Sequence, residues 1–363
     1  MAHNSTMTFD KTTGPMRTSD FDYDLPPELI AQTPLEPRDS SRLLVVDRRT
    51  GALSHTTFSH LPELLQAGDL LVLNDSRVIP ARLHGRRLPT GGAVELLLLR
   101  RLETGVWEAL ARPARTLKAG TRFHVEGRGR EAEGIVLHEG AEGIRTVRLE
   151  PEEALEAIGD VPLPPYITTP LEVRERYQTI YARAQGSAAA PTAGLHFTPG
   201  LFQRLEAKGV RPAFLTLHVG LDTFRPVHED DPREHKMHGE FFILPDETAA
   251  AVRATRQAGG RVVAVGTTSM RALESAAERC GVEAGGMNIA ALQGCSGWTD
   301  LFILDGYPFK LADGLITNFH LPRSTLLMLV SAFASKELMD TAYATAVREK
   351  YRFYSFGDAM LIL

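Results

Sequence analysis

Four short apolar runs in this chain stop abruptly in small or polar residues, and this pattern constrains the fold more than any other feature of the sequence. Asp69-Leu70-Leu71-Val72-Leu73 closes on Asn74-Asp75-Ser76-Arg77, and residues 212–219 close on Gly220. Arg261-Val262-Val263-Ala264-Val265 ends in Gly266-Thr267-Thr268-Ser269, and residues 315–319 end in His320-Leu321-Pro322. Apolar runs bounded in this way read as buried strands. Helical signals separate them. Thr198-Pro199 is an N-cap with proline at the first helical position, for a helix ending near Gly209. Asp246 opens a helix that runs through Gln257 to Gly259-Gly260, and helices are predicted over 270–280 and 325–334. Shorter signals give a helix around 27–30, strands over 41–47, 241–244 and 301–304, and a helix from Ser59 to Gly68. Strands alternating with helices predict an α/β domain with a mixed or largely parallel, barrel-like sheet.

Between residues 81 and 159 the texture changes. Short strands over 93–99, 107–110, 123–125, 133–138 and 145–149 follow one another across glycine turns. Even spacing of this kind predicts a small antiparallel β-barrel. The proline-rich stretch Val161-Pro162-Leu163-Pro164-Pro165 marks the exit, so 81–159 is expected as an inserted module within an α/β domain built from 19–80 and 160–363. Residues 1–18 are polar and read as a disordered extension, with Met16 a second possible start.

Composition removes several classes. No run of about 18 apolar residues occurs, so no membrane-spanning helix is expected, and no apolar segment near the N-terminus suggests secretion. Two cysteines, Cys280 and Cys295, supply neither a disulfide framework nor a cluster that could hold iron–sulfur. A cytoplasmic monomer is the expectation. The net charge of −5 argues against binding nucleic acid through global charge. Locally, however, residues 82–130 carry eleven Lys/Arg against four Asp/Glu, followed by an acidic stretch over 131–160. These are either two solvated faces that offset each other or a basic face for an anionic partner.

The candidate chemistry sits where strands end. Gly266-Thr267-Thr268-Ser269-Met270-Arg271 takes a strand directly into a helix, which either offers its first amides to an anion or is merely capped by Thr268 or Ser269. Thr192-Ala193-Gly194-Leu195-His196 is a loop of small residues with one titrating group, either an acid–base histidine or a local hydrogen-bonding one. His218, His228, His235 and His238 form the densest histidine group, with Glu240 nearby. His235 and His238 would meet on one helical turn, but the spacing matches no zinc signature and no metal is expected. Asp75, Arg77, Asn318 and His320 follow buried strands, where α/β proteins place ligand contacts. Dinucleotide, P-loop and serine-hydrolase motifs are all missing from the sequence.

Together these segments resemble the S-adenosylmethionine:tRNA ribosyltransferase-isomerase family of queuosine biosynthesis. The resemblance is carried by Phe21-Asp22-Tyr23-Asp24-Leu25-Pro26, Asn74-Asp75-Ser76-Arg77-Val78-Ile79-Pro80-Ala81-Arg82 and residues 191–198. Leu217-His218-Val219-Gly220, Thr223-Phe224-Arg225-Pro226-Val227 and His235-Lys236-Met237-His238 extend it. Gly266-Thr267-Thr268-Ser269, Gly297-Trp298-Thr299-Asp300, residues 315–325 and Asp358-Ala359-Met360-Leu361-Ile362-Leu363 complete it. Asp222, Gly239 and Met270 depart from the family pattern, which expects a small residue, serine and valine there.

The resemblance implies a reaction without metal, in which S-adenosylmethionine is a co-substrate and no cofactor stays bound. Its ribosyl part would pass to the aminomethyl nitrogen of 7-aminomethyl-7-deazaguanine at the wobble position of tRNA. Adenine and methionine leave, and epoxyqueuosine forms. Such chemistry needs a base for the ribose C5′ hydrogen beside the sulfonium, a proton for departing adenine and a donor for the methionine carboxylate. Asp75, His196, His218 and His238 are the candidates for proton transfer. Arg77, Thr192, Gly194, Gly266, Thr267, Thr268, Ser269, Arg271, Asn318 and His320 are the candidates for substrate binding. An S-adenosylmethionine-dependent RNA methyltransferase and a non-catalytic RNA-binding protein are the competing readings.

Overall fold

The computed structural model describes residues 16–220 and 227–363. The first 15 residues, Asp222 and the 223–226 part of the Thr223 motif lie outside the described residues. Thr18, expected inside a disordered extension, is buried, and its hydroxyl donates to the Glu229 carbonyl at 2.5 Å.

The chain before the small module supplies β1 (Arg42–Val46), β2 (Leu53–Thr57), β3 (Leu70–Asn74) and the short β4 (Ser76–Val78). Six strands follow: β5 (Arg82–Arg87), β6 (Ala93–Glu103), β7 (Val106–Arg112), β8 (Arg122–Gly127), β9 (Arg130–Glu139) and β10 (Ile144–Glu150). The return supplies β11 (Ala184–Ser187), β12 (Arg211–Leu217), β13 (Glu240–Leu244), β14 (Val262–Val265), β15 (Cys295–Thr299), β16 (Gly314–Asn318) and β17 (Ala359–Ile362). Among the helices, α1 (Leu61–Leu64) and α2 (Leu155–Ile158) are single turns. The longer ones are α3 (Pro199–Ala207), α4 (Asp246–Gln257), α5 (Thr267–Cys280), α6 (Thr325–Ala334) and α7 (Lys336–Arg348).

Strands β5 to β10 close into an antiparallel barrel in the order β10-β7-β6-β5-β8-β9. Its interior is filled by Leu83, Leu96, Phe123, Val125 and Val147. Gly134 is required there, because a Cβ would lie 2.2 Å from the Phe123 ring. The larger sheet has nine strands in the order β15-β13-β12-β3-β14-β16-β17-β1-β2. It is mixed: β12, β3, β14 and β16 run parallel, whereas β13, β15, β17 and β2 each add an antiparallel pairing. It stays open, with β15 and β2 at its edges, so the barrel-like curvature expected of it does not reach closure.

Every residue of β3, β14 and β16 is buried, which is why these strands read as unbroken apolar runs rather than alternating ones. Elsewhere local signals and structure part. Residues 301–304 form no strand; Leu301, Ile303 and Leu304 are instead buried against the core as an irregular segment. The strand of that region is β15, an edge strand with the half-exposed pattern that an edge allows. The Ser59 helix is reduced to one turn, and α5 begins three residues before the predicted Met270. Met270, where the family pattern expects valine, is fully buried in the core.

Candidate active site

Because β12, β3, β14 and β16 are parallel, their C-terminal ends share one edge of the sheet. The chain leaves β3 toward β12 on one side and reaches β14 on the other, which opens a crevice at that edge. Asn74 staples it. Its amide donates to the Leu217 carbonyl at 2.9 Å and to Thr268 Oγ1 at 3.3 Å, and its Oδ1 accepts from Leu217 and Ser76 N–H at 3.0 Å each.

At the end of β14, Gly266 adopts φ 91° and ψ 153°, a conformation essentially reserved for glycine. It turns the strand into α5 with no side-chain cap, and the amides of Thr267, Thr268 and Ser269 have no acceptor among the described residues. The Ser269 hydroxyl donates back to the Val265 carbonyl at 2.7 Å and is no part of the opening. A 14-residue helix therefore points unpaired N–H groups and its positive dipole end into a pocket.

That pocket is walled by Thr192, Thr317, Asn318, His320, Tyr166 and Tyr354, among others. Its free space is about 50 Å³, far below what small-molecule sites usually enclose. Tyr166 and Tyr354, with ring centroids 4.7 Å apart, were not singled out from the sequence. Tyr354 is left-handed at φ 70°, and its carbonyl accepts from the Asn318 amide at 2.8 Å. No sequence signal marks a tyrosine held in that conformation.

The two inner histidines differ in placement. His320 lines the pocket. Tyr343 Oη accepts from the His320 backbone N–H at 3.0 Å, so its own proton points to Nδ1 at 3.3 Å, and Nε2–H is left to donate to Thr317 Oγ1 at 3.1 Å. His196 lies behind the wall, stacked on Phe58 at 4.9 Å, with Nδ1 2.7 Å from Ser41 Oγ and Nε2 3.4 Å from Asn318 Oδ1. Burial lowers the His196 pKa to about 4 and that of His320 to about 3. Both are neutral at pH 7, and His196 lines neither cavity but contacts Asn318, which does. Gly194 is likewise a packing position, because a Cβ would sit 2.0 Å from Tyr181 Oη.

Stability follows from these values. Both folded pKa values lie below the ordinary 6.5. As pH falls below 6.5 the unfolded chain takes up protons that the folded chain refuses, so stability drops until the folded histidines protonate near pH 4 and 3. The loss expected is about 1 kcal/mol per pH unit for each histidine within that window. Urea unfolding at pH 7, 6 and 5 measures it, and His196→Asn should flatten the slope by roughly half. An unchanged slope in that variant would contradict the burial argument.

A larger cleft of about 1170 Å³ opens between the barrel and the sheet edge and shares Val219 with the inner pocket. His218, His235, His238, Arg77 and Glu240 line it. His218 follows β12, and its Nδ1 is buried without a partner among the described residues. Burial lowers its pKa, opposed by the Asp75 carboxylate, so its ring is a neutral acceptor. Asp75 lines neither cavity. Its carboxylate accepts from Arg183 Nε at 2.5 Å and Thr216 Oγ1 at 2.6 Å. His235 and His238 do not share a helical turn, since 235–239 is irregular, and His235 Nδ1 is 3.0 Å from Glu229. Among the described residues, no three His, Cys, Asp or Glu side chains converge as a metal site. Arg77 is paired with Glu175 at 2.5 Å on the cleft wall.

Arg271 does not reach the helix start. It turns into the protein and forms a buried ion pair with Glu240, while its Nε donates to the Leu301 carbonyl at 3.1 Å. Glu240 Oε1 also accepts from Gly220 N–H at 2.8 Å. The carboxylate is thus fixed at the edge of the cleft, a role that sequence pattern alone left to its neighbouring histidines.

Residues 18–362 match the family described as queuosine biosynthesis protein. The chain belongs to that family. It is 55% identical over 352 residues to the S-adenosylmethionine:tRNA ribosyltransferase-isomerase of Symbiobacterium thermophilum, covering 96% of this chain and all of that one. The enzyme of the same name from Acetivibrio thermocellus is 53% identical over 351 residues, again covering 96% of this chain and all of the relative. Among solved structures, the S-adenosylmethionine tRNA ribosyltransferase of Thermotoga maritima is 43% identical, with a TM-score of 0.54 over 95% of this chain and 100% of its own. Among the described residues, no helix is long and apolar enough to cross a membrane.

Proposed function

We propose that this chain is an S-adenosylmethionine:tRNA ribosyltransferase-isomerase of queuosine biosynthesis. It moves the ribosyl part of S-adenosylmethionine onto 7-aminomethyl-7-deazaguanine at the wobble position of tRNA. The observation that carries the reading is one wall, at Val219, shared by an inner pocket with an unpaired helix start and an outer cleft wide enough for an extruded base. The amides of Thr267 and Thr268 hold the methionine carboxylate, and the nucleoside lies against Thr192, Asn318 and the Tyr166–Tyr354 pair. His218, neutral and with a free ring nitrogen at the junction, is the base that takes the C5′ proton next to the sulfonium. Glu240 faces the N–H donors of the deazaguanine edge. The amine nitrogen bonds to the ribosyl carbon and gives up a proton, adenine leaves with a proton, and cleavage of the single C5′–S bond releases methionine.

The test is adenine release. Purified protein with S-adenosylmethionine and tRNA carrying the modified base should liberate adenine and methionine, and tRNA lacking that base should not. A methylated RNA with S-adenosylhomocysteine as the product would overturn the reading in favour of a methyltransferase. Binding of tRNA without any small-molecule product would favour a non-catalytic binder.

A further inference from the structure

The outer wall of the cleft leads away from it to a loop that the proposed reaction does not use. Strand β7 runs seven residues, or about 20 Å, from Val106 beside the cleft to Arg112, and 113–121 turn back into β8. Arg112, Arg115 and Lys118 are exposed on this loop, and their side chains have no hydrogen-bond or ionic partner among the described residues. Arg86 and Arg87 stand at the adjoining end of β5, with Arg87 Nη1 3.4 Å from the Thr116 carbonyl. Several other arginines of the barrel are neutralised in pairs: Arg100 with Glu108, Arg101 with Glu152, Arg122 with Glu133 and Arg128 with Asp160. Among the described residues, Arg130 and Arg148 are exposed and unpaired elsewhere on the module, but most of its free positive charge gathers at the loop end.

The loop is also held in one shape. Arg145, only 6% exposed, donates from Nε to the Leu117 carbonyl at 2.5 Å, from Nη2 to Ala114 at 2.7 Å and from Nη1 to Ile144 at 2.7 Å. Leu117 is fully buried as a plug of the barrel. Burying a guanidinium costs several kcal/mol unless its donors are satisfied, and here they are satisfied by the backbone that carries Arg115 and Lys118. Glu139, 3.8 Å from Arg145, offsets its charge. Glu95, opposite Arg112 in register, and Glu142 are the other carboxylates nearby, fewer than the five cations. Glu142 and Ile144 line the outer end of the cleft, and Gly143 between them packs on Ala114, so the basic loop borders the cleft mouth.

We propose that Arg86, Arg87, Arg112, Arg115 and Lys118 form a contact for the RNA backbone, gripping tRNA phosphates outside the cleft that takes the reacting base. The proposal rests on the tRNA reading above. On a chain of net charge −5, this patch supplies the local positive field that brings an anionic substrate to the cleft.

The test uses the full chain with Arg112→Glu, Arg115→Glu and Lys118→Glu combined, none of which touches either cavity. At about 0.1 M salt the variant should bind tRNA at least tenfold more weakly, with KM rising in parallel and kcat within about twofold of the original. The slope of log affinity against log salt should flatten by roughly two to three, since each lost phosphate contact removes about 0.9. The companion variant Arg112→Lys, Arg115→Lys, Lys118→Arg should behave as the unmodified protein, which separates charge from folding. Affinity within twofold and an unchanged salt slope in the glutamate variant would overturn the proposal. The two readings fail separately: an unmodified protein that binds tRNA but releases no adenine sinks the catalytic reading alone, whereas a glutamate variant that binds tRNA normally sinks the loop alone.

Discussion

Gly266→Ala is expected to weaken S-adenosylmethionine binding by about tenfold to several hundredfold. Space is not the obstacle, since the nearest atoms to an added Cβ are Thr268 Oγ1 at 3.5 Å and Ala193 Cβ at 3.6 Å, both ordinary contacts. The obstacle is the backbone. At φ 91° and ψ 153° an alanine carries a conformational penalty of about 1–3 kcal/mol. The chain relieves that penalty by rotating the peptide that leads into α5, which turns the Thr267 and Thr268 amides away from the carboxylate position. Each charge-assisted hydrogen bond lost there is worth roughly 1.5–3 kcal/mol, and every 1.4 kcal/mol is tenfold in affinity. Calorimetric titration of S-adenosylmethionine measures the loss. Normal affinity in this variant would show that the helix start is not the anchor.

Arg271→Met is expected to destabilise the fold by about 3–5 kcal/mol, the range found when one partner of a buried ion pair is removed. Arg271 and Glu240 are each about 96% or more buried, so removing the guanidinium leaves the Glu240 carboxylate, which still accepts from the Gly220 N–H, without its buried counter-charge. The double variant Arg271→Met, Glu240→Leu should recover most of that stability, because an apolar pair of similar volume is often neutral or better in such a position. It should nevertheless remain inactive if Glu240 faces the base. Urea unfolding of both single variants and the double closes the cycle, and adenine release gives the second readout. A double variant that is both stable and active would confine the pair to a structural role.

Particular residues show where the sequence was legible. The strand-to-glycine-to-helix transition at Val265-Gly266-Thr267 was legible from neighbouring residues alone, whereas the choice between a cap by Thr268 or Ser269 and open amides was not, and the structure shows no side-chain cap. Thr198 caps α3 as predicted, accepting from the Leu201 N–H at 3.1 Å. The histidines were not legible in this sense. Nothing near His196 in the chain announces Ser41, Phe58 or Asn318, which lie 155, 138 and 122 positions away and surround its ring. His218 could be told apart only by the missing partner of its Nδ1. Arg271 looked like an extension of the helix-start site, yet its side chain pairs with Glu240 instead.

Local order was therefore set by the sequence alone: buried parallel strands from unbroken apolar runs, a small barrel from evenly spaced short strands, and polar turns at strand ends. The family was legible for the same reason, since its motifs are contiguous. Which of those turns meet, which histidine is exposed to a substrate and which charges cancel was decided only by tertiary structure. Strand order brings residues hundreds of positions apart to one sheet edge, and burial and ion pairing depend on distances in space that neighbours in the chain do not encode.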